Sequence, residues 1–286
     1  MLALPREIHV TSRGKVFVAF CHSLDSTILS VVYFPKNNEM SEDVHMKITI
    51  IGSSHGGPEP NRRCSSIMIQ TGGTIYFVDM GTPVNDDLRR RGYPVEDVRG
   101  VFISHMHGDH TNGLIQFVYH LNNRYTKADP AIYLPDMDAV EVFDRWLQVT
   151  VGGKRRQLRY RPVEAGVIYD DGTLRVTAIP NQHIAVSYSY LLEAEGKRVL
   201  ITGDLKNPKI DFPVGALSAP LDLVVSECAH FPAGDYLPLY ENIDIRKVCI
   251  THYTNRFLET IFTLQRTLEE IGTPMLVATD GLEIDV

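Results

Sequence analysis

Residues 104–110 read Ser104-His105-Met106-His107-Gly108-Asp109-His110 and follow the apolar run Val101-Phe102-Ile103 directly. Three imidazoles and a carboxylate fall within six positions at the end of a predicted strand, a density that side-chain packing does not require. Neutral imidazole nitrogen and carboxylate oxygen are the donors that zinc takes, usually four in tetrahedral array. Two histidines at i and i+2 of an extended segment project to one side and can grip one ion. Asp109 and His110 come after Gly108, where a helical pattern begins, so they aim elsewhere. The spacing therefore points to two adjacent ions, as in two-metal hydrolases. A chain that carries it must bring further donors to the same strand end.

Three later segments offer such donors. His183 follows the apolar strand Leu174–Ile179, Asp204 follows Val199-Leu200-Ile201, and His252 follows Val248-Cys249-Ile250. Each is a ligand-type residue just past a short apolar strand, where active-site loops gather. Asp79 ends the strand Tyr76-Phe77-Val78 in the same way. It either hydrogen-bonds a ligating histidine and fixes its tautomer or is a turn residue before Met80-Gly81.

The rest of the chain reads as alternating strands and helices from Met46 onward. Ser66–Gln70 and Thr74–Val78 flank Thr71-Gly72-Gly73, a hairpin signal. Leu114, Phe117, Val118 and Leu121 make one helix face, and Asp136 is placed to cap a second helix with Val140, Phe143 and Leu147 inward. A third helix carries Phe257, Leu258, Ile261, Leu264, Leu268 and Ile271 and stops at Gly272 and Pro274. Many strands with helices between strand groups predict an α/β protein of packed sheets with helices outside. Residues 1–45 stand apart: Val16–Phe20 and Ile28–Phe34 read as strands and Pro35–Glu39 as a turn or linker. This segment is either a hairpin added to the 46–286 domain or an appendage.

Composition narrows the function classes. The 286 residues are 44% hydrophobic and carry a formal net charge of −7, so no overall basic field draws the chain to nucleic acid. The short runs Arg62-Arg63, Arg89-Arg90-Arg91 and Lys154-Arg155-Arg156 read as solvated surface. Cys21, Cys64, Cys228 and Cys249 form no C-x-x-C pair, and Cys228 and Cys249 sit by apolar segments as reduced core residues of a cytoplasmic protein. No apolar run is long enough to span a bilayer, and the N-terminus lacks a secretory pattern.

On these residues the chain resembles the metallo-β-lactamase-fold hydrolase superfamily from about Met46 to its end. The resemblance implies an αββα sandwich of two mixed sheets flanked by helices, around a dinuclear site. By that likeness His105, His107 and His183 hold the first metal, Asp109, His110 and His252 the second, and Asp204 bridges them. Histidine at position 107 is similar to the zinc hydrolases rather than the di-iron branch, so two zinc ions are expected, with manganese as an alternative. Met46–Ser53, Asn61–Ser66, Ser226-Glu227-Cys228-Ala229 and Thr251–Arg256 are similar to the phosphodiesterase branch that includes tRNA 3′-processing endonuclease Z. There, Glu227 matches a motif glutamate.

Two departures modify the expectation. About twenty residues separate His183 from Asp204, filled by a plain hairpin where that enzyme carries its substrate-gripping arm. No histidine lies between His230 and His252 to partner Glu227. The expected activity is therefore hydrolysis of a small or cyclic phosphodiester by a metal-bridging hydroxide, with nucleic acid not favoured, no membrane partner, and a homodimer by family habit. Asp109 would ligate and orient the nucleophile, and His230, close to Glu227, is either the proton donor to the leaving oxygen or a plain loop histidine. A thioester, lactone or amide hydrolase, or a non-catalytic metal-binding protein, remain the alternatives.

Overall fold

The structure is a computed structural model and describes residues 7–12, 15–20, 30–33, 45–57, 59–152 and 156–286. The chain divides into two compact units, Met1–Asp43 and Val44–Val286. In the first, β1 (Glu7–Ser12), β2 (Lys15–Phe20) and β3 (Ser30–Tyr33) form an antiparallel sheet in that order. The sequence strands at Val16–Phe20 and Ile28–Phe34 correspond to β2 and β3, whereas β1 was not foreseen. Cys21, the Pro35–Glu39 linker, Lys154 and Arg155 lie outside the described residues.

The second unit holds two seven-stranded sheets. It begins with β4 (Lys47–Gly52), β5 (Ser66–Thr71), β6 (Thr74–Met80), helix α1 (Asn85–Arg91), β7 (Val98–Phe102) and α2 (Gly108–Asn123). Then come β8 (Ala131–Leu134), α3 (Asp138–Thr150), β9 (Arg159–Pro162), β10 (Gly166–Asp170), β11 (Arg175–Pro180), β12 (Tyr188–Ala194) and β13 (Lys197–Ile201). The chain closes with α4 (Pro208–Asp211), β14 (Leu223–Cys228), α5 (Leu237–Tyr240), β15 (Val248–Tyr253), α6 (Leu258–Glu270), β16 (Met275–Val277) and β17 (Leu282–Asp285). One sheet runs β17-β4-β5-β6-β7-β8-β9 and the other β10-β11-β12-β13-β14-β15-β16. Both are mixed: β6, β7, β8 and β9 pair in parallel, as do β13, β14, β15 and β16, while the remaining pairs are antiparallel.

Three apolar layers follow from strand alternation. Between the sheets, Ile48, Ile50, Ile69 and Val78 meet Val176, Leu192, Val199, Ile201 and Val225. The opposite face of the first sheet (Met68, Phe77, Val101, Ile132) is covered by Leu114, Phe117, Val118 and Leu121 of α2 and Phe143 and Leu147 of α3. The outer face of the second (Leu200, Val224, Val248, Ile250) packs on Tyr236, Tyr240 and α6 residues Ile261, Leu264 and Leu268. Central strands buried on both faces therefore read as unbroken apolar runs. Fully burying one such side chain is worth about 1.5–3 kcal/mol.

Local chemistry explains most element ends. Gly72 and Gly73, both at positive φ, close the β5–β6 hairpin, and Glu195-Gly196, also at positive φ, closes β12–β13. A two-residue turn with both φ positive matches the twist of paired strands. Asp136 Oδ1 accepts from Asp138 N at 2.9 Å at the start of α3, and Gly272 (φ 87°) follows α6. Ile271 departs from its expected inward position; it lies beyond the last helical turn and is 51% exposed.

The basic pair Arg62-Arg63 is not free surface. Arg63 forks onto Asp87 (2.5 and 3.2 Å) and bonds Asp280 at 3.1 Å. Arg62 stacks over the Tyr253 ring at 3.8 Å and donates to the Tyr253 carbonyl at 3.0 Å. Planar guanidinium groups can satisfy carboxylates and aromatic faces at once, and here they tie the segment before β5 to the strand that carries His252. In the other two runs Arg91 pairs with Glu283 and Arg156 with Asp129.

Candidate metal centre

The strands that carry the expected donors, β7, β11, β13, β14 and β15, release them at their C-terminal ends. His105 and His107 leave β7, and α2 begins at Gly108, so Asp109 and His110 occupy its first turn. His183 follows β11, Asp204 follows β13, Glu227 lies in β14 with His230 just after, and His252 lies in β15. The seven expected donors thus converge, with Asp79, Glu227 and His230 beside them.

Asp79 and His252 share a feature that the sequence does not display. Each is the extra residue of a β-bulge, between Ile67/Ser66 partners in one sheet and Glu227/Cys228 partners in the other. Each also has a left-handed backbone, φ 59° and 43°. Such conformations cost on the order of 1–3 kcal/mol and re-aim a side chain out of the strand plane. Gly81 and α2 make a matching close approach: a Cβ on Gly81 would stand 1.6 Å from the Asp109 carbonyl oxygen. Only glycine there lets the first turn of α2 sit against the end of β6.

The donor atoms form two groups. In the first, His105 Nε2 stands 2.9 Å from His107 Nδ1, which is 3.3 Å from His183 Nε2, and Asp204 Oδ2 is 3.7 Å from His105 and 3.6 Å from His183. In the second, His110 Nε2 is 3.6 Å from Asp109 Oδ2 and 3.4 Å from Asp204 Oδ1, while His252 Nε2 lies 3.8 and 3.3 Å from the same two oxygens. Ligands held about 2.0–2.1 Å from a tetrahedral ion stand about 3.3 Å from one another. Both groups have edges of that size, and each takes one oxygen of Asp204. His110 Nε2 and Asp204 Oδ1 are buried without a hydrogen-bond partner, which in a protein interior calls for a further group between them. These residues fit a pair of divalent cations.

Electrostatics agree with that fit. Burial, reinforced by neighbouring histidines, pushes His105 down to about 2 and His183 down to about 4, so both present neutral nitrogen lone pairs. Burial opposes charge on His110 as well, but Asp204 and Asp79 outweigh it and hold the ring well above its ordinary value. Asp204, against its own burial, is held well below the carboxylate range by His252 and His110.

The outer hydrogen bonds are equally ordered. Asp79 accepts from Ser104 N at 2.7 Å and Ser104 Oγ at 2.8 Å and faces His110 Nδ1 at 2.7 Å. It is buried, and both its oxygens are bonded to Ser104 or face His110. Glu227 accepts from Leu205 N and Ala229 N, each at 2.8 Å, and faces His230 Nδ1 at 2.8 Å. Glu227 is thus paired with His230, three residues further along the chain. Burial disfavours the His230 imidazolium, but Glu227 more than offsets this and raises its pKa above the ordinary value. His230 Nε2 points back to Asp204 Oδ2 at 3.9 Å, and its ring lies 4.6 Å from that of His183.

Sequence reading passed over one wall of this site. The segment between β4 and β5 places Gly56 against the Asp109 carboxylate, and its Glu59 accepts from Asn255 N at 3.1 Å and faces His55 Nε2 at 3.2 Å. His55 and Glu59 there are ligand-type residues, and the fold brings the segment to Asp109.

Comparison with known proteins places this geometry. The chain is 28% identical over 187 residues to a ribonuclease Z of Synechococcus sp. (strain CC9311), covering 62% of this chain and 58% of that protein. Across such matches the chain spans about half the length of its curated relatives (58% and 49% for two ribonuclease Z proteins). The metallo-β-lactamase fold protein YhfI from Bacillus subtilis superposes with a TM-score of 0.66 at 20% identity, covering 85% of this chain and all of that one. Human tRNase Z, short form, gives 0.65 at 17% identity over 84% of this chain and 99% of that one. Two mixed sheets with helices on both outer faces are therefore the metallo-β-lactamase fold. The family model described as Anti-Pycsar protein Apyc1 matches residues 46–260, and the chain belongs to that family.

Proposed function

We propose that residues 46–286 form a dinuclear zinc-dependent phosphodiesterase domain acting on a small or cyclic phosphodiester. The observation that carries this reading is the division of Asp204, whose two oxygens face different donor groups, with His105 and His183 on one side and His110 and His252 on the other. Divalent ions bound there would supply a water acidified to hydroxide near neutral pH and neutralise charge on the transferring phosphoryl group.

The chain's own residues do the remainder. Asp109, partly exposed at the first turn of α2, accepts a hydrogen bond from the attacking water and aligns it with phosphorus. His230, held by Glu227 through Nδ1, presents Nε2 to the leaving oxygen and gives it a proton. Asp79 holds the His110 ring so that Nε2 faces the second group.

The small-substrate preference is supported by the β12–β13 hairpin, which closes in the two residues Glu195-Gly196 where a gripping arm would have to emerge. The net charge of −7 also disfavours a long polyanion. Among the described residues no helix is long and apolar enough to cross a membrane.

The deciding experiment is turnover by zinc- and manganese-loaded protein on a panel of bis-aryl phosphate, cyclic nucleotides, a thioester, a lactone and a β-lactam. Phosphodiester hydrolysis that disappears in a folded Asp109→Ala variant is expected. Turnover of another member with none on any phosphodiester would overturn the bond assignment. Metal uptake without turnover of any member would make this a binding protein.

A further inference from the structure

Asp211 carries no motif and stands at the end of α4, yet it is only 7% exposed. No cation neutralises it among the described residues. Its oxygens are taken by backbone amides: Oδ2 accepts from Gln182 N and Lys206 N, both at 2.9 Å, and Oδ1 accepts from Asn207 N at 3.1 Å. A buried carboxylate is costly unless its acceptors are filled, and here they are filled from two separate loops.

Those loops matter for the metal centre. Gln182 immediately precedes His183, and Lys206 comes two residues after Asp204. A single oxygen of Asp211 therefore joins the backbone beside two donors of the first group. Other ties reach the β13 end through neutral side chains, and Ser189 Oγ donates to the Thr202 carbonyl at 2.5 Å. Asn181 Nδ2 reaches the Thr202 carbonyl at 3.4 Å, and His183 N bonds only its neighbour Asn181 Oδ1, at 3.3 Å. On the Asp204 side, Leu205 N is held by Glu227, and Asp211 adds a charged acceptor that bonds backbone amides on both the His183 and the Asp204 sides.

We infer that Asp211 is a positioning residue that sets the 3.6 Å separation of His183 Nε2 and Asp204 Oδ2 and so tunes affinity for the ion of the first group. This rests on the dinuclear reading above. Charge-assisted bonds to two amides fix loop spacing more firmly than the neutral bonds an asparagine would make. The second group shares only Asp204 with that link; its other donors, His110, His252 and Asp109, lie on segments that Asp211 does not bond.

The test is Co2+ uptake by the metal-free full chain, followed by visible absorption in competition with a chelator and without substrate. His183→Ala and His252→Ala identify which binding step belongs to which group. Asp211→Asn is expected to weaken the His183-dependent step about 10–100-fold, the usual effect of losing an outer-shell partner, with the His252-dependent step changing far less. Asp211→Glu, which keeps the charge, should fall between and carries the comparison if the Asn variant does not fold. Wild-type affinity at both steps, or equal weakening of both in step with a lowered metal-free Tm, would overturn the role. Wild-type protein that binds two ions but hydrolyses no phosphodiester would contradict the proposed activity and leave Asp211 its role. Failure of the wild type to bind Co2+ would overturn both.

Discussion

Several side chains of the site are aimed through their second atoms. His110 is aimed by Asp79, His230 by Glu227, and the Asp204 carboxylate by sharing. Of these, His230 makes the sharpest single-residue case, because a proton donor matters in proportion to how poor the leaving group is. His230→Gln should slow hydrolysis of an alkyl or nucleoside phosphodiester by about 10²–10⁴-fold. A p-nitrophenyl diester, whose leaving group needs no proton, should be affected far less. The comparison of kcat for the two substrates reads this directly, and equal losses on both would remove His230 from the donor role. At this scale the sequence was largely transparent, since His105, His107, Asp109, His110, His183, Asp204 and His252 all announce themselves by type and by position after a strand. Asp211 does not, because a buried carboxylate bonded to backbone amides looks like any other aspartate in a loop.

At the level of elements, legibility followed periodicity. The hairpins, α2, α3 and α6 were readable from turn residues and apolar spacing, whereas β8, β9, β10 and β17 were not. Edge strand β9 is largely exposed and polar (Arg159, Arg161), and β10 carries an apolar run of only three residues, Val167-Ile168-Tyr169, too short to mark a strand by itself. The bulges at Asp79 and His252 were equally hidden, being set by register between strands rather than by local composition. The turn between β10 and β11 shows how such weakly marked segments are secured. Asp171 accepts from Thr173 N and Leu174 N at 2.9 Å, and from Tyr76 Oη at 2.7 Å and Tyr169 Oη at 2.9 Å. Burial alone would raise its pKa, but the Leu174 amide, the Tyr76 hydroxyl and its other donors outweigh this and hold it below the ordinary value. Folding therefore favours the carboxylate. Its stabilisation is fully present above about pH 4, the unfolded value, and is lost as pH falls through the depressed folded value. Denaturant midpoints measured from pH 7 to pH 2 should show Asp171→Asn less stable at neutral pH and with a flatter acid limb. An acid limb as steep as the wild type's would exclude Asp171 as a contributor.

Across the whole molecule, two sheets deliver the donors from opposite sides of one cleft. The first sheet supplies Asp79, His105 and His107 and, through α2, Asp109 and His110; the second supplies His183, Asp204, Glu227, His230 and His252. Neither sheet alone holds a complete donor group, which couples the site to the packing between them. The αββα layering was implied by strand–helix alternation and family resemblance, while the pairing order within each sheet belongs to long-range register that no local pattern carries. The central claim is that two ions act together on a phosphodiester, and its most direct measurement is the hydrolysis rate of a small cyclic phosphodiester as zinc is added stepwise to metal-free protein. The rate should stay near background through the first equivalent per chain, climb to its maximum with the second, and then plateau. Full activity at one equivalent, or no phosphodiester turnover at any loading of a protein that has bound two, would contradict it.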